Sequence, residues 1–179
     1  MEITVIRHLP TEWNRKQVLQ GKKDIPILPL TEKEQSKIAE NLQLIQEKLF
    51  DLALCSSLVR TKQTAEHYGQ KAIPEPLLDE LDFGPFEGRP KKELVSIYGE
   101  LWSEKPAEII LGESLVNLET RIKLFLSKYN HMSQLLVFGH GSWIRALKSY
   151  HQYGHINAMN KTTVKNNECI SLEFITVEA

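Results

Sequence analysis

Short β-prone runs alternate with amphipathic helical stretches along this chain, and that alternation limits the folds open to it. Ile3 to Ile6, Leu52 to Cys55, the region of Ala72 and Ile73, and Leu135 to Phe138 read as strands, and Cys169 to Val177 reads as a closing strand. Between them lie helical segments. Thr31 with Glu34 three residues on has the form of a capping box. Behind it, Ile38, Leu42, Ile45 and Leu49 recur at the spacing of one helix face. Further helices are expected from Val59 to Tyr68, Lys91 to Tyr98, Ser114 to Tyr129 and Trp143 to Tyr150. Strand–helix alternation predicts a three-layer α/β/α architecture: a mainly parallel sheet with helices on both faces. The stretch from about residue 85 to residue 130 interrupts the alternation and is expected to form a small helical cap inserted in one domain over 1–179.

Bulk properties narrow the function by exclusion. With 179 residues, 41% of them hydrophobic, the chain can bury a sizeable core. Its formal net charge of -1, from 22 basic and 23 acidic residues, points neither to nucleic acid nor to a membrane surface. Cys55 and Cys169 sit in strand-like runs, as expected of two buried thiols, and no Cys-x-x-Cys pattern suggests a zinc site. The first residues lack the features of a signal peptide, and no apolar run has transmembrane length, so a cytoplasmic location is expected.

In a sheet of this kind, ligands bind beyond the carboxyl ends of the strands. Arg7 and His8 follow the first strand, Ser56, Ser57 and Arg60 the second, Glu80 the third, and His140 a later one. Two arginines supply planar forks of donors that match phosphate oxygens. A neutral imidazole is a competent nucleophile toward phosphorus. A carboxyl group can protonate a departing alkoxide, and a second histidine can bond phosphoryl oxygens as charge shifts. Gly141 and Ser142 open a helix whose backbone N–H groups are positioned to receive an anion. Asn14 is placed to donate to phosphate or to hold His8.

The stretch Arg7-His8-Leu9-Pro10-Thr11-Glu12-Trp13-Asn14 resembles the Arg-His-Gly-x-Thr-x-x-Asn signature of the histidine phosphatase superfamily, which includes the phosphoglycerate mutases. Ser56 to Ala65 is similar to the segment carrying that family's second arginine, here Arg60. Leu78-Asp79-Glu80 with Gly84 and Glu87-Gly88 is similar to its proton-donor loop, and Val137-Phe138-Gly139-His140-Gly141 to its second-histidine motif. The resemblance implies a phosphoglycerate-mutase-like fold and a phosphohistidine formed on His8. Arg7, Arg60, His140 and Asn14 would hold the phosphoryl oxygens and Glu80 would be the proton donor, with Asp82 or Glu87 as fallbacks. It implies no metal and no cofactor. The compact length is similar to the branch containing α-ribazole and broad-specificity phosphatases.

One position departs from the signature: Leu9 stands where the family usually has Gly, and it is expected either to form part of the pocket wall or to mark altered substrate geometry. Gln20, Gly21, Gly141, Ser142 and Trp102 are further candidates for substrate contact. Arg145 is expected to face solvent or brace a neighbour. His151 and His155 share the i, i+4 spacing of a metal pair but lack a third ligand, and are expected to be surface histidines. The expected function is hydrolysis of small phosphomonoesters. Two alternatives stand beside it, a mutase-type phosphotransferase and a non-catalytic phosphate-ligand sensor. The expected partner is a small phosphorylated metabolite, with no nucleic acid and no membrane, and the chain is expected to be a monomer or homodimer.

Overall fold

The computed structural model describes residues 1–175. Five strands form one sheet: β1 (Glu2–Arg7), β2 (Leu52–Cys55), β3 (Ile73–Pro74), β4 (Gln134–Gly139) and β5 (Cys169–Glu173), in the order β3-β2-β4-β1-β5. β1 pairs in parallel with β4, and β2 in parallel with both β4 and β3, whereas β5 runs antiparallel to β1 at the edge. The expected end of the last strand, at Val177, lies outside the described residues.

Side-chain alternation along the strands divides the core in two. Ile3, Val5, Leu54, Leu135 and Val137 belong to one apolar cluster; Ile6, Cys55, Leu136 and Phe138 belong to the other. The second cluster is covered by α2 (Glu32–Ile45), through Ile38 and Ile45, and by α3 (Val59–His67), through Ala65. The larger cluster takes up α6 (Leu115–Lys128) and α7 (Gly141–Tyr153), whose Phe125 and Trp143 rings meet edge to face at 5.4 Å. This is the three-layer α/β/α arrangement expected from the alternation. The remaining α-helices are short: α1 (Glu12–Arg15), α4 (Lys91–Tyr98) and α5 (Glu100–Glu104).

The stretch from 85 to 130, expected as a cap, divides in two. α4 and α5 stand over the carboxyl edge of the sheet. α6 instead packs beside α7, with Leu115, Leu118, Ile122 and Phe125 fully buried. Helical spacing marks an apolar face without saying what covers it, and here the main core covers it. Cys55 and Cys169 are both free, on strands separated by β4 and β1. His151 is on α7, but the helix ends at Gly154 in a left-handed cap, so His155 is off the helix and the two are exposed surface histidines. No helix among the described residues is long and apolar enough to cross a membrane.

Candidate active site

The register of the central strands brings the two histidines together. Arg7 pairs with Gly139 across β1 and β4, so His8 and His140 each stand one residue beyond a paired position. The backbone N–H of His8 still donates to Gly139 O at 3.0 Å. The imidazole centroids lie 5.3 Å apart. Both rings are buried, and burial first, then the charge of Arg60, holds both well below the ordinary histidine range, so both are neutral at pH 7. His8 Nδ1 is 2.7 Å from the carbonyl oxygen of Leu9, its own chain neighbour. A carbonyl only accepts, so Nδ1 carries the proton and Nε2 keeps a lone pair. His8 lines a cavity of about 720 Å³.

His140 is held from the other side. Its Nε2 lies 2.7 Å from Ser56 Oγ, at the end of β2, while its Nδ1 is buried without a partner. Ser56 Oγ is itself 2.8 Å from Thr61 Oγ1 and accepts from Leu58 N–H. If the Ser56 hydroxyl donates to Nε2, Nδ1 carries a proton it can give to a ligand oxygen.

The arginines are anchored by main-chain carbonyls. Arg7 Nη1 donates to Val164 O at 2.6 Å. Arg60 donates from Nη1 to Lys23 O at 2.6 Å and from Nη2 to Gly21 O at 2.8 Å. Nε of each is buried and unpartnered. Burial pulls Arg7 down to about 10, which leaves it charged at pH 7. Gly141 packs against Arg7: a Cβ there would stand 3.2 Å from Cζ of the guanidinium. Of the six buried side-chain polar atoms without a partner among the described residues, four belong to Arg7, Arg60, His140 and Arg145. Such groups are rare in folded proteins, and these four gather where the carboxyl ends of the strands meet α7.

Asn14 orients by its oxygen. Oδ1 accepts from Thr11 N–H at 3.0 Å and from Asn166 Nδ2 at 3.3 Å, which turns the amide NH2 outward. It makes no bond to His8, so of its two expected tasks the structure leaves donation to a ligand. Gln20 lines the cavity, and its Oε1 accepts from the Thr11 hydroxyl. Gly21 also lines it, and its carbonyl holds Arg60.

Among the described residues, Glu80 is the one acid lining the cavity. Its Oε2 accepts from Ser142 N–H at 3.0 Å, and its Oε1 from Trp143 N–H at 3.2 Å and Leu81 N–H at 2.8 Å. Those bonds occupy three of about four lone-pair directions and leave one on Oε2. They also correct the expected role of the α7 N-terminus, since the Ser142 N–H expected to receive an anionic ligand grips Glu80 instead. The fallback acids Asp82 and Glu87 do not line the cavity; Asp82 accepts from Gly84 N–H and Glu87 from Lys22 N–H. Arg121 of α6 steadies the Glu80 loop through the carbonyls of Leu77 and Asp79, both at 2.9 Å.

Two expectations that carried alternatives are narrowed. Leu9 is not a pocket wall: its side chain is fully buried in the second core cluster beneath the site, with Ile6, Ile38 and Phe138. Its φ is not positive, so the backbone here does not need glycine. Arg145, expected to face solvent or brace a neighbour, does the second: its Nη2 reaches Ser142 Oγ and Asn160 Oδ1, both at 3.3 Å, while it also lines the cavity, its Nε is sealed and burial lowers its pKa. Lys16, Lys91 and Lys92 also line the cavity; Lys16 carries no signal in the sequence, and Lys91–Lys92 reads there only as a short basic pair on a solvated surface. Trp102 forms wall as well as core.

Residues 3–177 match the sequence pattern of the histidine phosphatase superfamily (branch 1). The chain belongs to that superfamily. Among superfamily relatives, it is 30% identical over 181 residues to the uncharacterized phosphatase PhoE of Bacillus subtilis, covering 96% of this chain and 88% of that one. It is 28% identical to a probable phosphoglycerate mutase GpmB of Yersinia enterocolitica, over 83% of this chain and 74% of that one. It also matches a probable 2-carboxy-D-arabinitol-1-phosphatase of Arabidopsis thaliana at 32% identity, but spans only 24% of that longer relative. The fold is shared with an α-ribazole phosphatase from Shigella flexneri: TM-score 0.77, 23% identity, 98% of this chain and 91% of the other.

Proposed function

We propose that this histidine phosphatase hydrolyses small phosphomonoesters by way of a phosphohistidine on His8. The observation that carries the reading is the state of the His8 ring. Nδ1–H is committed to the Leu9 carbonyl, burial and two arginines keep the ring neutral, and Nε2 is the nitrogen left with a lone pair. A neutral imidazole attacks through that nitrogen.

In the first step Nε2 bonds to phosphorus as the bond from phosphorus to the ester oxygen breaks. Protonated Glu80 passes its proton to the departing oxygen, so an alcohol leaves. Arg7, Arg60, Asn14 and His140 hold the phosphoryl oxygens as charge moves onto them. In the second step a water oxygen attacks phosphorus, its proton goes to the Glu80 carboxylate, and the bond from phosphorus to Nε2 breaks. Inorganic phosphate leaves and His8 is restored. Relatives named as phosphatases support water as the acceptor. The second reading, transfer to another phosphoester, is supported by relatives named as probable phosphoglycerate mutases.

The test is phosphate release across a panel of phosphorylated metabolites, with acid quenching avoided and the peptide containing His8 analysed for acid-labile phosphate. Wild type should release phosphate and carry the label, and His8→Ala should do neither. Unchanged release by His8→Ala would overturn the reading. Isomerisation of 3-phosphoglycerate with a bisphosphate primer, without phosphate release, would replace hydrolysis by transfer.

A further inference from the structure

A chain of bonds that begins on the backbone of His8 decides which end of the Asn14 amide faces the cavity. Asn166 stands on the loop that enters β5. Its Nδ2 lies 3.0 Å from His8 O and 3.3 Å from Asn14 Oδ1. A main-chain carbonyl only accepts, so the end of Asn166 that meets it is the NH2. That group has two hydrogens, one for His8 O and one for Asn14. The atom of Asn14 that receives the second is then the oxygen. Thr11 N–H, at 3.0 Å, requires the same atom. With Oδ1 held by both donors, the NH2 of Asn14 is the end left for the cavity.

The loop has little freedom to yield. Val164 O accepts from Arg7 Nη1 at 2.6 Å, Asn167 N–H donates to Arg7 O at 2.9 Å, and Glu168 O accepts from Arg7 N–H at 3.1 Å. Asn166 therefore sits between residues tied to Arg7 on either side. Asn167 is buried and has a φ of 64°, a left-handed conformation that asparagine tolerates. Its carbonyl accepts from Asn41 Nδ2 at 2.8 Å, and its Nδ2 donates to Glu34 O at 3.2 Å. Asn166 itself is half-buried and does not line the cavity, whereas Asn14 does. It reaches a ligand only through Asn14. The two lie 152 residues apart in the chain, so no local pattern pairs them.

Taking Asn14 as a holder of phosphoryl oxygens, as in the reading above, we propose that Asn166 is a positioning residue that sets the polarity of the Asn14 amide. It keeps a donor, and not a carbonyl oxygen, facing the phosphoryl group. Because the same NH2 also binds His8 O, one group ties that donor to the backbone of His8. The competing role is purely structural: closing the loop ahead of β5.

Calorimetric titration with methylphosphonate, an inert ligand, tests this without turnover. The proteins are wild type, Asn166→Asp and Asn166→Ala, each with and without Asn14→Ala. Asn14→Ala alone should weaken binding about tenfold to a hundredfold, the scale of one hydrogen bond to a charged group. Asn166→Asp puts oxygens where the NH2 was, so it repels Asn14 Oδ1 and favours a turned amide. It should cost about as much as Asn14→Ala when Asn14 is present, and much less when Asn14 is already gone. A charge acting through space would cost the same in both backgrounds. If Asn166→Asp misfolds, Asn166→Ala carries the test: a loss of about twofold to tenfold, one neutral hydrogen bond, that vanishes in the Asn14→Ala background. In isotope-labelled wild type, the side-chain NH2 signals of Asn14, identified by their loss in Asn14→Ala, should shift when phosphonate binds, and in Asn166→Asp they should stay in place. Equal losses with and without Asn14 would overturn the proposal. So would a lowered melting temperature in Asn166→Ala with affinity and signals as in wild type. Coupled phosphonate binding with no ester turned over would sink the phosphatase reading and leave this one standing. Turnover of esters without the coupling would do the reverse.

Discussion

The backbone N–H of Ser142 donates to Oε2 of Glu80 at 3.0 Å, so the first turn of α7 grips the only acid that lines the cavity among the described residues. Glu80→Gln turns an NH2 group toward one of those N–H groups and removes the transferable proton. The lost backbone acceptor should cost about 1–3 kcal/mol of stability. Turnover of alkyl phosphates should fall by about a hundredfold to ten-thousandfold, the span of general acid catalysis. Aryl phosphates, whose leaving groups need less help, should lose much less. A plot of kcat against leaving-group pKa checks this, and equal losses on both classes would count against Glu80 as the donor.

Gly141→Ala separates stability from activity. The new Cβ would stand 3.2 Å from Cζ of Arg7, whose Nη1 is tied to Val164 O and cannot swing away freely. Alanine is a better helix residue than glycine by about 1 kcal/mol, so the melting temperature should hold or rise. A displaced guanidinium should lower kcat/KM by about tenfold, within the range that small misplacements cost. Full activity in a correctly folded Gly141→Ala would remove Arg7 from the phosphate site.

The two buried histidines make stability depend on pH. In the folded state both titrate well below 6.5, chiefly through burial, and in the unfolded chain both titrate near 6.5. Below 6.5 the unfolded chain therefore takes up protons that the folded one refuses, and stability is lost as pH falls. Each histidine contributes a slope of up to about 1.4 kcal/mol per pH unit. Denaturant titrations from pH 7 to pH 5 should show this, and His8→Ala should have a shallower slope than wild type. Parallel slopes would mean that His8 is not held neutral by the fold.

Leu9→Gly restores the residue usual in the resemblance and should do harm. Leu9 is fully buried among Ile6, Ile38, Tyr68 and Phe138. Emptying that space should cost at least about 2–5 kcal/mol, the scale of a leucine truncation to alanine. Activity per folded molecule should stay unchanged, because the side chain does not face the cavity. A gain in kcat/KM would show that Leu9 restricts the site after all.

The residues that lie at strand ends were legible in the sequence. His8, Arg60 and His140 each follow a short apolar run, and β-sheet geometry alone sends such positions to one edge. The direction of β5 was not legible, because an apolar run looks the same in either orientation. The placing of α6 escaped for a related reason: its spacing reveals an apolar stripe but not the neighbour that buries it. That Arg145 and Lys91 line a cavity was not legible, because a lone basic residue on an amphipathic helix reads as solvated surface. Only the packed structure shows that a cavity opens beside α7. The proton-donor loop was readable as a loop, yet the capture of Glu80 by backbone N–H groups depends on where α7 begins, and no local pattern encodes that distance.

The acceptor that fixes the His8 tautomer is a main-chain oxygen, and this has a consequence for any mutational survey of the site. No exchange of side chains can delete the Leu9 carbonyl, so a scan of every position would find the orienting partner of the proposed nucleophile nowhere. The same property separates two demands on position 9: its carbonyl faces the His8 ring, and its side chain answers to the core beneath. Under the proposed mechanism, glycine and leucine at position 9 offer His8 the same carbonyl. Only backbone chemistry, such as replacing the carbonyl in a semisynthetic protein, would reveal what that oxygen does.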